Sequence, residues 1–425
     1  MKTTLIIIIS IILLATGKPA FAQTYTLKQV LDSIDVNNRG LQQFELKTKS
    51  SIAEGDASKA WMAPIAEVGL SEFPYGSVSK SDNGMMPRKM LMLRLQQMFP
   101  NFTKQHKEQD YYRSFAAQNT DDRETMENML FAQAKMAYYD AYVSERKLAI
   151  ISEQEKQLQL LIQIAEGRLA YNKASLPNIY KARARLSDLQ SMRIKISSKV
   201  DQSAAIMNSL MNRQAESPLQ VDTAVNLQQQ PTDILMIDSI YVKTHRSDIH
   251  RITDEIHSMD IKQQVASSMS KPVFGLTWDN MRMPVSSSGG NNGMYMFSAM
   301  AMVSIPIVPW FSKGYKSEVR SMDFQIQAMR KMQEDQVQQS LGNIRKDWLN
   351  LQSARKDLHI FQSEVIPAYA KTYQANLNAF SENTGDIYET LMAWSDLTMK
   401  RMEYYDKLSD LLNIRVMLET EMQQY

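Results

Sequence analysis

The stretch "MYMFSAMAMVSIPI", residues 294–307, alternates Met294, Met296, Met300 and Met302 with Tyr295, Phe297, Ala299, Ala301 and Val303. A period of two places successive side chains on opposite faces of a strand, so one face is methionine-rich and the other apolar. Two further stretches share the pattern. In "MLMLRLQQM" (90–98), Met90, Met92, Arg94, Gln96 and Met98 oppose Leu91, Leu93 and Leu95. In "VFGLTWDNMRM" (273–283), Thr277, Asp279, Met281 and Met283 oppose Phe274, Leu276 and Trp278. Strands of about ten residues with one apolar face and one mixed, charge-bearing face are the pattern of membrane barrels. The expected pairs are 64–73 with 88–99 and 272–283 with 294–305, joined by the turn formers "PYGSVSKSDNG" and "PVSSSGGNNG".

Four such strands cannot close a barrel, because the smallest membrane barrels need about eight. Open strand edges cannot face lipid, where their backbone groups go unpaired. The chain is therefore expected to oligomerise, two copies supplying eight strands and three supplying twelve.

The rest of the chain reads as long helix. No proline or glycine falls between Pro100 and Gly167, and good helix formers dominate. At 1.5 Å per residue, roughly 65 residues make a rod of about 100 Å. Leu158, Leu161 and Ala165 recur at coiled-coil spacing, with Gln157, Gln159 and Gln163 on the polar side. The expected long helices are 101–166 and 311–378, the second carrying Gly342, and the expected return helices are 179–212 and 387–422.

An internal repeat organises these elements. Pro100-Asn-Phe-Thr-Lys-Gln-His-Lys107 returns as Pro309-Trp-Phe-Ser-Lys-Gly-Tyr-Lys316 at an offset of 209. Ile179-Tyr180 returns as Ile387-Tyr388, and Ser187-Asp188-Leu189 as Ser395-Asp396-Leu397, both at 208. Upstream, Pro64 matches Pro272 and Gly69-Leu70 matches Gly275-Leu276. Two repeats follow, 23–230 and 231–425, each holding a helix, two strands, a very long helix and a return helix.

The chain opens with Lys2, an apolar run and Ala20-Phe21-Ala22, the order of a secretory signal peptide, so residues 1–22 are expected to be cleaved off. Lys2 and Lys18 leave with it, and 46 basic residues then balance 46 acidic ones. A neutral chain carries no nucleic-acid footprint. The sequence has no cysteine, hence no disulfide framework, thiolate metal site or lipoprotein anchor. No later segment offers 18 consecutive apolar residues, so any membrane crossing is by strands. G-x-S-x-G, H-E-x-x-H, a phosphate loop and a cysteine nucleophile are all missing, which leaves an enzyme without machinery. No cofactor is implied. A periplasmic coiled-coil tether would explain the helices but not the duplicated amphipathic strands.

With these features the sequence resembles the outer membrane factor family, the TolC-like channels of tripartite efflux and secretion systems. The resemblance covers the chain beyond residue 22. It rests on the duplication, on the strand-to-helix junctions "QQMFPNFTKQHK" and "IPIVPWFSKGYK", and on the turns "RLAYNKASLPNIYKARARL" and "NAFSENTGDIYETLMAWSDL". In the first turn Asn172 stands where the family commonly has glycine, and asparagine tolerates left-handed backbone. The family implies a fold that is mainly α with a small β part: a trimeric α/β-barrel channel with four membrane β-strands per chain and long coiled-coil helices forming a periplasmic tunnel. It implies a homotrimer in outer-membrane lipid, a periplasmic adaptor (membrane fusion) protein at the helix turns, and an inner-membrane pump of RND type. Loops 74–87 and 284–293 would lie outside the cell, and 213–240 around the tunnel's equator. The cargo implied is a small toxic compound or metal ion; a copper/silver channel and a type I protein secretion channel are the alternatives.

The resemblance also carries adaptor contacts, by position, to Asn172, Ser175, Asn178, Thr384, Gly385 and Asp386. Arg168, Lys173, Glu382 and Asp386 lie beside the turns, where a trimer would form charged rings able to gate a constriction; ordinary helix capping is the other role open to Asp386. The strand faces carrying Met90, Met92, Arg94, Met98, Asp279, Met281, Met283, Met294, Met296, Met300 and Met302 are expected to face the lumen. Thioether sulfur suits Cu(I), while methionine also serves as adaptable filler. His250, Asp254 and His257 share a helical face that fits either a metal or solvent.

Overall fold

The computed structural model describes residues 23–71, 90–169, 175–222, 237–282 and 295–424. In chain order the elements are β1 (Gln23–Tyr25), α1 (Leu27–Asn37), α2 (Arg39–Ala57), β2 (Ile65–Ser71), β3 (Met90–Met98), α3 (Phe102–Leu169), α4 (Leu176–Leu210) and β4 (Leu219–Val221). They continue with α5 (Ser239–His245), α6 (Ser247–Ser268), β5 (Phe274–Arg282), β6 (Tyr295–Val303), α7 (Pro309–Ile360), a π-turn (Phe361–Val365), α8 (Ile366–Ser381) and α9 (Ile387–Met422). The chain is mainly helical with a small sheet part.

Helix α3 runs 68 residues without a break, as a stretch lacking proline and rich in good helix formers should. The continuous helix expected over 311–378 is instead divided. Pro367 cannot donate a backbone hydrogen bond, and its ring would strike the carbonyl four residues back. The chain widens into a π-turn at Phe361–Val365, where the Ile366 N–H bonds to the Phe361 carbonyl five residues earlier, and then resumes as α8. The strands are slightly shorter than expected at their helix-side ends. Pro64 and Pro272 precede β2 and β5, Pro100 and Pro306 follow β3 and β6, and none of them has an N–H to extend a ladder. Helix α4 closes before Asn212, which takes a left-handed φ of 57°.

Two compact units make up the chain, and each draws on both halves of the sequence. The first joins Met1–Gln43, Arg123–Ser247 and Gln336–Tyr425. Its helices α3, α4, α8 and α9 bury Ile151, Leu158, Leu161, Ala165, Ile179, Leu189, Phe380, Ile387 and Trp394 in one cluster. Burying each large apolar side chain of this kind stabilises by about 1.5–3 kcal/mol. In the same unit β1 pairs in parallel with β4, and the Tyr138 hydroxyl donates to the carbonyls of Tyr25 at 3.2 Å and Asp222 at 3.1 Å. Burial pushes that phenol up to about 12, so it stays a donor throughout the physiological range.

The second unit joins Phe44–Asp122 and Asp248–Asp335 and contains the four-stranded sheet. Asparagine and glutamine side chains tie its chain reversals: Asn101 Nδ2 donates to the Ser268 carbonyl at 2.7 Å and Gln105 Nε2 to that of Ala60 at 3.1 Å. Among the described residues, no helix is long and apolar enough to cross a membrane.

Candidate functional site

The sheet is antiparallel throughout, in the order β2-β3-β5-β6. Its register fixes which residues stand level. Gly69, Met92, Met281 and Met296 form one row; Glu67, Arg94, Asp279 and Ser298 the next; Ile65, Gln96, Thr277 and Met300 the third. Met98, Gly275 and Met302 make a fourth. All of these lie on one face. The opposite face carries Val68, Leu70, Leu91, Leu93, Leu95, Phe274, Leu276, Trp278, Tyr295, Phe297 and Val303, every one exposed, with Gln97, Asn280 and Arg282 toward its two ends. So large an apolar surface on a solvated protein would be costly, and it suits contact with lipid or another apolar surface.

Charge on the polar face is held as a pair. Arg94 Nε donates to Asp279 Oδ1 at 2.7 Å and Nη2 to Oδ2 at 3.2 Å, while Ser298 Oγ donates to Oδ2 at 3.3 Å. Glu67 stands 3.9 Å from the same guanidinium. Asp279 is 1% exposed, and this two-pronged geometry is what lets a carboxylate be buried there. The pairing was open to inference from sequence, because a lone charge on a membrane strand is expensive and asks for a partner; its identity needed the register.

At the helix side of the sheet, Trp61 packs edge-on against Phe99 at 5.7 Å and Phe102 at 6.0 Å. Trp310 and Phe311 are also exposed, just beyond β6. Aromatic rings at strand ends are the usual markers of a membrane–water boundary.

The second candidate site lies in the first unit, where α8 ends and α9 begins. Asn383 takes a left-handed φ of 60°. The Thr384 N–H bonds to the Ala379 carbonyl at 2.9 Å and the Asn383 N–H to the Phe380 carbonyl at 3.2 Å. That pattern is a Schellman cap with asparagine in the place usually held by glycine. Gly385 serves close approach instead of left-handed backbone: a Cβ there would sit 2.9 Å from the Ala379 Cβ. Asp386 stands at the N-cap position of α9, but its side chain makes no capping hydrogen bond, so what its position offers is a negative charge at the helix start. Ser175 holds the corresponding place before α4, also without a side-chain bond, and its carbonyl accepts from the Asn178 N–H at 3.1 Å.

Arg168, expected to contribute ring charge, is engaged within the unit. Its Nη1 donates to the Phe380 carbonyl at 2.6 Å, its Nη2 to that of Ser381 at 3.2 Å, and the guanidinium lies 4.3 Å from the Phe380 ring centre. It thus satisfies the Ser381 carbonyl at the end of α8 and adds a second donor to that of Phe380, which already accepts from the Asn383 N–H. Glu382 is the C-cap residue of α8. Asn172 and Lys173, like Met283 and Met294, fall outside the described residues. The structure does not gather His250, Asp254 and His257: among the described residues no three His, Cys, Asp or Glu side chains are placed to hold a metal. Their helix, α6, instead uses the Asp254 carbonyl to accept from Ser258 Oγ at 2.9 Å.

No protein-family model matches the sequence, and no curated protein does. Solved structures do match in fold. The outer-membrane channel OprN superposes with a TM-score of 0.73 at 15% identity, covering 94% of this chain and 90% of that one. CusC, a protein that forms a transmembrane channel, gives 0.74 at 16% identity over 95% and 93%. The CmeC outer membrane channel of Campylobacter jejuni gives 0.72 at 13% identity over 94% and 85%. The fold of this chain is that of these outer-membrane channels.

Proposed function

We propose that the chain is the outer-membrane conduit of a tripartite efflux system and works as a homotrimer. The observation that carries this reading is the sheet: one face predominantly apolar, the other mostly polar and methionine-bearing, and both outer edges, on β2 and β6, without a strand partner among the described residues. Three copies joined edge to edge give a closed twelve-stranded barrel, which leaves no unpaired backbone in lipid. The apolar face then meets the bilayer and the methionine-bearing face the lumen. The conduit does no chemistry; energy enters at an inner-membrane pump of RND type, through a periplasmic adaptor.

The adaptor docks at the turns, on Ser175, Asn178, Thr384, Gly385 and Asp386, with Asn172 contributing by sequence position. Helix ends held by backbone caps give a fixed shape to such a surface. Its cargo is a small toxic compound or a metal ion. Residues 1–22 direct export and are removed.

Purified protein in planar bilayers should show discrete conductance steps, and loss of the gene should sensitise cells to at least one toxic compound. A mature chain that stays monomeric and water-soluble would overturn the proposal.

A further inference from the structure

We infer that the polar face of the sheet binds soft monovalent metal ions, Cu(I) or Ag(I), through a three-thioether level made by Met92, Met281 and Met296. The inference rests on the conduit reading only for its purpose; the site itself rests on the register. These three residues are Cα partners across three adjacent strands. Neighbouring strands lie about 4.8 Å apart, so the outer two backbones are only about 10 Å apart. Methionine side chains from either flank are long enough to reach across that gap, so the three thioethers can converge on one ion at this level.

Distribution argues against filler. Every methionine of β3, β5 and β6 lies on the polar face with Arg94, Gln96, Thr277, Asp279 and Ser298, and none lies on the apolar face. Methionine serving only as adaptable filler has no reason to avoid the apolar side. A second level shows thioether side chains converging. A Cβ built on Gly275 would lie 2.5 Å from Met98 Sδ and 3.1 Å from Met302 Cε, so both methionines lean over the glycine from opposite strands. Glycine here opens the space that they share.

Between the two levels stand Glu67, Arg94 and Asp279, two carboxylates against one guanidinium. The net negative charge favours a cation, yet the Arg94 fork already engages both Asp279 oxygens, leaving fewer hard-oxygen sites for Mg²⁺ or Ca²⁺. Thioether is a soft ligand that selects Cu(I)-like ions, and separate weak levels let an ion leave as well as enter.

The test uses the assembled full chain in detergent, with ¹³C-labelled methionine methyls and silver(I) nitrate in chloride-free buffer. Saturable shifts are expected for the methyls of Met92, Met281 and Met296. The M92L/M281L/M296L variant, nearly volume-conserving, should weaken Ag(I) binding at least tenfold, while M399L on an exposed turn of α9 should leave it unchanged. Should the triple variant fail to assemble, M281L alone removes the central sulfur and should weaken binding several-fold. Unchanged Ag(I) affinity in the variants, or equal shifts at Met399, overturns the site. Single-channel conductance of parent and variant, measured alongside, separates the two readings: a chain that binds Ag(I) but never conducts keeps the site and loses the conduit.

Discussion

The four-stranded sheet and the α8–α9 turn are specified in different ways. In the sheet, parity decides where a side chain goes, because a strand has two faces and one of them is predominantly apolar. In the turn, position is set by backbone: a left-handed residue, a close approach and a few N–H groups looking for carbonyls. A sheet position therefore resists polar change on one face and, outside the Arg94–Asp279 pair, tolerates it on the other, whereas a turn position resists whatever its backbone cannot adopt.

The largest effect should come from breaking parity. Leu93→Lys puts a charge on the apolar face, which costs about 2–4 kcal/mol per chain near a bilayer midplane. Assembled protein should vanish from the outer-membrane fraction, while Gln96→Lys on the polar face should leave it in place. Equal loss from both would mean that the faces do not differ as described.

Next comes Asp279→Ala, which leaves Arg94 with only the distant Glu67. A lost charged hydrogen-bond pair of this kind costs about 2 kcal/mol. Assemblies should form but dissociate at lower temperature on heated gels, and Arg94→Met in the same chain should restore part of the loss.

In the turn, Gly385→Val drives a side chain against Ala379, where even a Cβ would sit 2.9 Å from its neighbour. Crowding of this kind costs about 1–3 kcal/mol, confined to the α8–α9 junction. Efflux should fall while assembly and barrel formation stay intact; unchanged efflux would move the adaptor elsewhere. Smallest is Asn383→Val, which forces a β-branched residue into left-handed backbone at about 1 kcal/mol. Faster amide exchange over residues 379–386, with none in the sheet, is the expected signature.

Faces were legible in the sequence because alternation survives through most of each strand: Leu91, Leu93 and Leu95 against Arg94 and Gln96 need no structure to separate, while Ile65, Gln97, Asn280 and Arg282 break the pattern toward the strand ends. Levels were not, since nothing local says that Met92 stands beside Met281; that depends on how two hairpins from different halves align. The fold's α3 followed from missing helix breakers, but Pro367 reshaped the matching helix, a signal present in the sequence and diluted by its otherwise strong helical composition. At the turn, the eye falls on Gly385, while the left-handed residue is Asn383, because a Schellman cap counts from the last helical residue and helix ends are blurred in sequence.

Arg94 and Asp279, hydrogen-bonded neighbours in the sheet, are 185 residues apart along the chain. At about 5–20 residues per second of synthesis, roughly 10–40 s pass between the emergence of one and of the other. Through that interval the first hairpin, Leu91, Leu93 and Leu95 included, waits without the strand that will complete it. The waiting time, rather than final stability, then sets how strongly the nascent chain depends on a protein that holds it unaggregated, and slowing translation between residues 100 and 270 should lower the yield of assembled protein without altering its melting temperature.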